Sequence, residues 1–143
     1  MTVARILATK GRGVIGVQPH RTLLEVSEIL TKNKIGAVVV TDAQSHLLGI
    51  ISERDIVKAI SRRGPESLHD AVSLHMTSQV VTITEDETVH DIVSKMSRGR
   101  FRHLPVLMSG RLCGLVSIGD AVKYRLEEME KEKNAILEYI AMA

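Results

Sequence analysis

The chain repeats itself, and the repeat limits what it can fold into more than any other feature. Leu47–Lys58 (LLGIISERDIVK) laid over Leu112–Lys123 (LCGLVSIGDAVK) gives identical Leu, Gly, Ser, Asp, Val and Lys. Upstream, Val14–Val40 lies over Val80–Val106 without a gap. Thr22 then meets Thr88, Glu25 meets Asp91, and Ile35-Gly36-Ala37 meets Phe101-Arg102-His103. The first copy carries one extra residue in the loop Ala43–His46. Each copy is a unit of about 60 residues, too small to bury an apolar core alone, so it is expected to pack on its twin. The expected division is 1–66 for the first copy with its leading segment, and 67–143 for the second with an extended C-terminal helix. Gly64-Pro65 is the breaker between them.

Both copies predict the same elements, β-α-β-β-α. Short strands open them at Val14–Val17 and Val80–Ile83. Helices follow, with Leu23, Val26, Ile29 and Leu30, or Val89, Ile92, Val93 and Met96, at helical spacing. Thr22 with Glu25, and Thr88 with Asp91, have the spacing of capping boxes. Two strands joined by a polar turn come next: Ala37–Thr41 with Leu47–Ser52, and His103–Leu107 with Leu112–Ser117 around Ser109-Gly110. The strands are apolar nearly throughout, which predicts sheets covered on both faces. The fold class is α+β, two β-α-β-β-α repeats packed through their sheets about a pseudo-twofold. A long last helix is expected from about Gly119 to Ile140. It carries Leu126, Met129, Ile136, Leu137 and Ile140 on one stripe, interrupted by Lys133, and the stripe needs something to pack on.

Composition removes several function classes. No apolar run is long enough to span a bilayer, and the first residues lack a signal peptide's apolar core, so a cytoplasmic location is expected. One cysteine, Cys113, rules out an internal disulfide and a cysteine-built zinc cage; it reads as a buried small hydrophobe. A net charge of +2 with 2% aromatic residues argues against a nucleic-acid surface. No nucleophile–base pair, Walker-type loop or carboxylate dyad is present, and the histidines outside Arg102-His103 lack metal-ligand spacing. Catalysis, a catalytic cofactor and a metal site are therefore not expected.

The doubled Gly-x-x-Ser-x-x-Asp, at Gly49-Ile50-Ile51-Ser52-Glu53-Arg54-Asp55 and Gly114-Leu115-Val116-Ser117-Ile118-Gly119-Asp120, resembles the signature of paired cystathionine-β-synthase (CBS) domains. Arg102-His103-Leu104-Pro105-Val106 is similar to the family's middle strand. Val72–Thr77 is similar to its leading segment, with Leu74 or His75 where an Asp is usual. The likeness runs from about Val3 to Arg125 and points to the bacterial stand-alone CBS pairs. It implies a regulatory module that binds an adenine nucleotide (AMP, ADP, ATP, NAD or S-adenosylmethionine), forms a homodimer and signals to a protein partner.

The residues are chemically suited to such a ligand. An Asp that follows a strand at a helix start can accept hydrogen bonds from ribose hydroxyls. The Ser three residues earlier can donate one, and the helix N-terminus favours an anion. The same Ser-x-x-Asp is also a plain capping box, and both roles can coexist. By the resemblance, a first cleft uses Lys10, Gly13, Ile15, Ile35, Gly36 and Ala37, closed by Leu115, Ser117 and Asp120. Arg102 and His103 lie near its phosphate end. A second uses Gln79, Val81, Phe101 and His103, closed by Ile50, Ser52, Arg54 and Asp55. Ile15 and Val81 would sandwich the adenine. Arg102 suits bidentate phosphate contact, or it is simply solvated or paired with a carboxylate. Lys10-Gly11-Arg12-Gly13 is either a second phosphate cradle, as a dinucleotide needs, or a flexible loop. The alternative to a nucleotide sensor is a dimeric interaction adaptor, recognised through the last helix, in which nucleotide is incidental.

Overall fold

The computed structural model describes residues 1–142. Its elements are α1 (Val3–Lys10), β1 (Gly16–Val17), α2 (Leu23–Asn33), β2 (Ala37–Thr41), β3 (Leu47–Ser52), α3 (Glu53–Arg63), α4 (Val89–Gly99), β4 (His103–Met108), β5 (Arg111–Ser117) and α5 (Ile118–Met142). Two 3-10 turns, Pro65–His69 and Val72–Leu74, occupy the join between the copies. The class is α+β, with the β-α-β-β-α order in the first copy and the long last helix in place.

Local chemistry explains most boundaries. Ser52 and Asp55 form a full capping box at α3, and Thr88 and Asp91 form one at α4. At α2 the Thr22 hydroxyl accepts from Glu25 N–H at 3.1 Å, and the Glu25 carboxylate accepts from the Thr22 hydroxyl at 3.3 Å and from Arg21 at 3.0 Å. Lys34 and Arg100, at matching positions of the two copies, both end their helices in the left-handed region at φ 54° and 57°. The β4–β5 turn sets both Ser109 (φ 52°) and Gly110 (φ 77°) at positive φ, which matches the twist of the flanking strands. The opening strands are shorter than the sequence pattern predicts. The first is reduced to Gly16–Val17, parallel to β2; the second is a single bridge from Ile83 to Val106.

The chain separates into two compact units whose bounds cut across the sequence halves. The first unit is Gly13–Val81 with Met108–Cys113. A three-stranded sheet, β1-β2-β3, lies at its centre, with β2 parallel to β1 and antiparallel to β3. Its core is Val17, Leu23, Val26, Leu30, Val38, Val40, Ile51, Ile56, Ala59 and Val72. β2 is buried over Ala37–Val40, as an apolar strand covered on both faces should be.

The second unit takes Met1–Arg12, Thr82–Leu107 and the chain from Gly114 onward. The β4–β5 pair belongs to it except for Met108–Cys113, the turn with the strand ends beside it. Helix α1, part of the leading segment of the first copy, docks here. Val3 N–H and Ala4 N–H donate to the carbonyls of Glu87 and Glu85, each at 2.9 Å. Val3, Ile6 and Leu7, spaced i, i+3, i+4, are buried, as are Ile83, Ile92, Leu104, Val116 and Tyr124 of the same unit. Cys113 is half-buried rather than enclosed.

The signature glycines are explained by close approach. A Cβ on Gly49 would lie 2.7 Å from the Thr77 carbonyl oxygen; one on Gly114 would lie 2.7 Å from a Leu7 methyl. The matching positions of the two copies each receive a segment that precedes a repeat. Gly49→Ala meets backbone that cannot move aside, and is expected to lower unfolding free energy by about 1–3 kcal/mol. Gly114→Ala meets only a side chain that can turn, and should cost less. Urea unfolding midpoints check this; a Gly114→Ala cost equal to or above that of Gly49→Ala would contradict it.

Candidate functional site

Both repeats build the same device at the start of their last helix. In the first unit, the Asp55 carboxylate accepts from Ser52 N–H at 2.8 Å and from the Ser52 hydroxyl at 2.9 Å. Asp55 N–H donates back to the Ser52 hydroxyl at 3.3 Å. Glu53 N–H donates to the Gly36 carbonyl at 2.9 Å, which ties the start of α3 to the residue before β2. In the second unit, Ser117 N–H donates to Asp120 at 2.9 Å, and Asp120 N–H donates to the Ser117 hydroxyl at 3.1 Å. Ile118 N–H donates to the Arg102 carbonyl at 2.7 Å. Gly36 and Arg102 hold matching places, so the same backbone link recurs with a neutral residue in one copy and a cationic one in the other. Three backbone N–H groups at each helix start are thereby satisfied, and the carboxylate is fixed at the positive end of the helix.

The two devices differ beside the strand. Ile50 exchanges two backbone hydrogen bonds with Thr77, at 3.0 and 2.9 Å. That pairing draws the segment leading to Gln79 and Val81 alongside β3. Among the described residues, its counterpart Leu115 has no such backbone partner. The Lys10 ammonium instead donates to the Leu115 carbonyl at 2.6 Å and to Asp120 at 2.5 Å. Burial pushes the Asp120 carboxyl up, but the Lys10 ammonium and the Ser117 N–H outweigh it and hold the group below the ordinary carboxylate value. Its contribution to stability is therefore present above the ordinary value of 3.8 and is lost as pH falls through the lowered one.

Comparison with known proteins places this arrangement. The CBS domain, as a sequence family, matches residues 5–62 and again 70–127. The chain belongs to the CBS-domain family. It carries a tandem pair of CBS domains. An uncharacterised 17.7 kDa protein of Acidianus ambivalens is 40% identical over 126 residues, covering 87% of this chain and 73% of that one. The crystal structure of the CBS-domain containing protein ATU1752 from Agrobacterium tumefaciens has a TM-score of 0.86 and 46% identity, covering 87% of this chain and 99% of that one. The CBS domain pair of protein MJ0100, solved in complex with 5′-methylthioadenosine and S-adenosyl-L-methionine, has a TM-score of 0.78 and 28% identity, covering 87% and 98%.

The CBS pair divides the residues singled out from its sequence between the two units. Gly13, Ile15, Ile35, Gly36, Ala37, Ile50, Ser52, Arg54, Asp55, Gln79 and Val81 lie in the first; Lys10, Phe101, Arg102, His103, Leu115, Ser117 and Asp120 lie in the second. Ile15, Arg54, Gln79 and Arg102 are exposed, whereas Ala37 is buried in the strand. The structure brings together Ser52 with Asp55, and Lys10 with Leu115, Ser117 and Asp120. Lys10 is not on a flexible loop: it ends α1, and Gly11 at φ 107° breaks the helix after it. Two residues escaped the sequence reading. Thr77 matters through its backbone, for which no side-chain pattern exists. Gly99 matters because its missing Cβ leaves room for the Phe101 ring against the end of α4.

Removing the ammonium while keeping the stem isolates its effect. In Lys10→Met the Asp120 carboxyl pKa is expected to rise. Carbon-13 NMR titration of the Asp120 carboxyl reads it. An Asp120 value that does not move would show that Lys10 does not hold this carboxylate in solution.

Proposed function

We propose that this CBS pair is a regulatory module that binds an adenine nucleotide, with no chemistry of its own, and passes the bound state to a protein partner as a homodimer. The observation that carries the reading is the repeated helix start. Asp55 and Asp120 are each locked by their own backbone in one orientation at a helix N-terminus. Asp55 can accept hydrogen bonds from vicinal ribose hydroxyls without reorganising, and Asp120 can do so once the Lys10 ammonium is drawn off. The complex of the MJ0100 pair with two adenosine compounds supports adenosine as the shared element of the ligand.

Within the first unit, Ile50, Ser52, Arg54 and Asp55 would take the ribose side of one ligand, with Gln79 and Val81 on the segment that Thr77 draws in. Within the second, Leu115, Ser117 and Asp120 would take the ribose of another, with Lys10 beside them and Phe101, Arg102 and His103 leading into β4. Gly13, Ile15, Ile35, Gly36 and Ala37 complete the proposed set. Lys10 makes the two places chemically unequal. Its ammonium already occupies Asp120, so a ligand there must draw it off, and a phosphate is the group that does so. AMP, ADP, ATP and NAD all carry one.

A second reading has its own support. The last helix leaves a row of large apolar side chains exposed, as an interaction adaptor would. Calorimetric titration with AMP, ATP and NAD separates the two. Asp55→Asn and Asp120→Asn are each expected to weaken nucleotide binding roughly 10- to 100-fold at one place, as loss of hydrogen bonds to a charged group does. Both variants should keep the unfolding cooperativity of the parent. Variants that fold and bind nucleotide as the parent does would overturn the site assignment. A parent that binds none of the three at millimolar concentration would favour the adaptor.

A further inference from the structure

Helix α5 is 25 residues long, about 37 Å at 1.5 Å per residue, and only its first turns are anchored. Ala121 and Tyr124 are its buried residues. On another side stand Val122, Leu126, Met129, Lys133, Ile136 and Ile140, separated by alternating steps of four and three. That is the a/d pattern of a coiled coil, with a period of 3.5 residues. The apolar members are all exposed: Leu126 by 61%, Ile136 by 60% and Ile140 by 62%. An amphipathic helix that serves only its own core turns its apolar side inward. This one turns a second apolar side outward, about 130° around the helix from Ala121 and Tyr124.

We propose that this seam pairs with the same seam of a second copy, in parallel and in register. The choice of occupant and direction comes from the charges flanking the seam. In a parallel pair, each Lys133 stands next to the partner's Glu132, and each Arg125 faces the partner's Glu130. All four contacts are attractive. Lys133 and Glu130 have no ion-pair partner in their own chain among the described residues. Arg125 already holds Glu128 at 2.6 Å, but its guanidinium has donors to spare. An antiparallel pair that keeps the apolar positions opposed sets Leu126 against the partner's Ile136. It then brings Glu132 toward the partner's Glu132 and Glu130 toward the partner's Glu130, like charge on like. A single Lys inside the seam is also the kind of polar break that fixes register and restricts the assembly to two strands, at some loss of stability.

This rests on the homodimer proposed above and gives it a surface; it makes no use of the nucleotide reading. The full chain is expected to run in light scattering at twice its 15.8 kDa mass. A Leu126→Asp and Ile136→Asp double variant, with unchanged circular dichroism over the rest of the fold, should run at the single mass. In a Cys113→Ser background, Ile136→Cys should form an inter-chain disulfide at least ten times faster than Lys131→Cys, which lies off the seam. A double variant that remains dimeric overturns the surface while leaving the dimer standing. Faster cross-linking of mixed Leu126→Cys and Ile136→Cys chains than of Ile136→Cys alone overturns the direction. A monomeric parent overturns both the surface and the dimer.

Discussion

The exchange of hydrogen bonds between Ser52 and Asp55, and again between Ser117 and Asp120, is where the fold and the proposed function meet. Each pair ends a strand and starts a helix with no loop between them, so the strand direction fixes the direction of the helix. The N–H next in line reaches the carbonyl of Gly36 or Arg102, which fixes the middle strand against the same point. Three elements of each repeat thus converge on one carboxylate. That carboxylate is satisfied enough to stay ordered, yet it lies at a helix end that favours bound anions. Stability and recognition draw on the same atoms, which is why capping and ligand binding are not rival explanations.

Duplication supplies the device twice, and the surroundings then make the copies differ. The segment before the second repeat approaches Gly49 and pairs through backbone with Ile50. The segment before the first repeat approaches Gly114 and puts a lysine side chain where that backbone pairing would be. Among the described residues, the first arrangement leaves Asp55 with only its cap; the second gives Asp120 an ion pair as well. A module with two unequal places can respond to two ligands, or to one ligand at two concentrations, without any change of fold.

Much of this was legible in the sequence because it is local. The capping spacing, the Ser109-Gly110 turn and the bounds of β2, β3 and α3 follow from side chains within a few residues. What escaped depends on distant chain. Helix α1 has a helical triplet in Val3, Ile6 and Leu7, but eight residues do not hold a helix in water; it is held by the carbonyls of Glu85 and Glu87. The opening strands read as four residues each and are shorter, since only Gly16–Val17 and Ile83 find partners. Lys10 could be read as a phosphate ligand from its Gly-flanked basic run, but its hold on Asp120 could not, because it is set by where α1 docks. The C-terminal stripe reads as apolar residues in want of a surface, and among the described residues its side chains stay exposed.

The central claim is that Asp55 and Asp120 read ribose hydroxyls. The direct measurement is thermal unfolding against adenosine ligands paired with their 2′-deoxy forms, AMP with 2′-deoxy-AMP first. A ligand that binds only the folded state stabilises it by about 2.7 kcal/mol at one hundred times its dissociation constant. The ribose form is predicted to raise the unfolding temperature at concentrations where the deoxy form does not. Equal shifts from the two forms would contradict the claim and leave the carboxylates as caps alone.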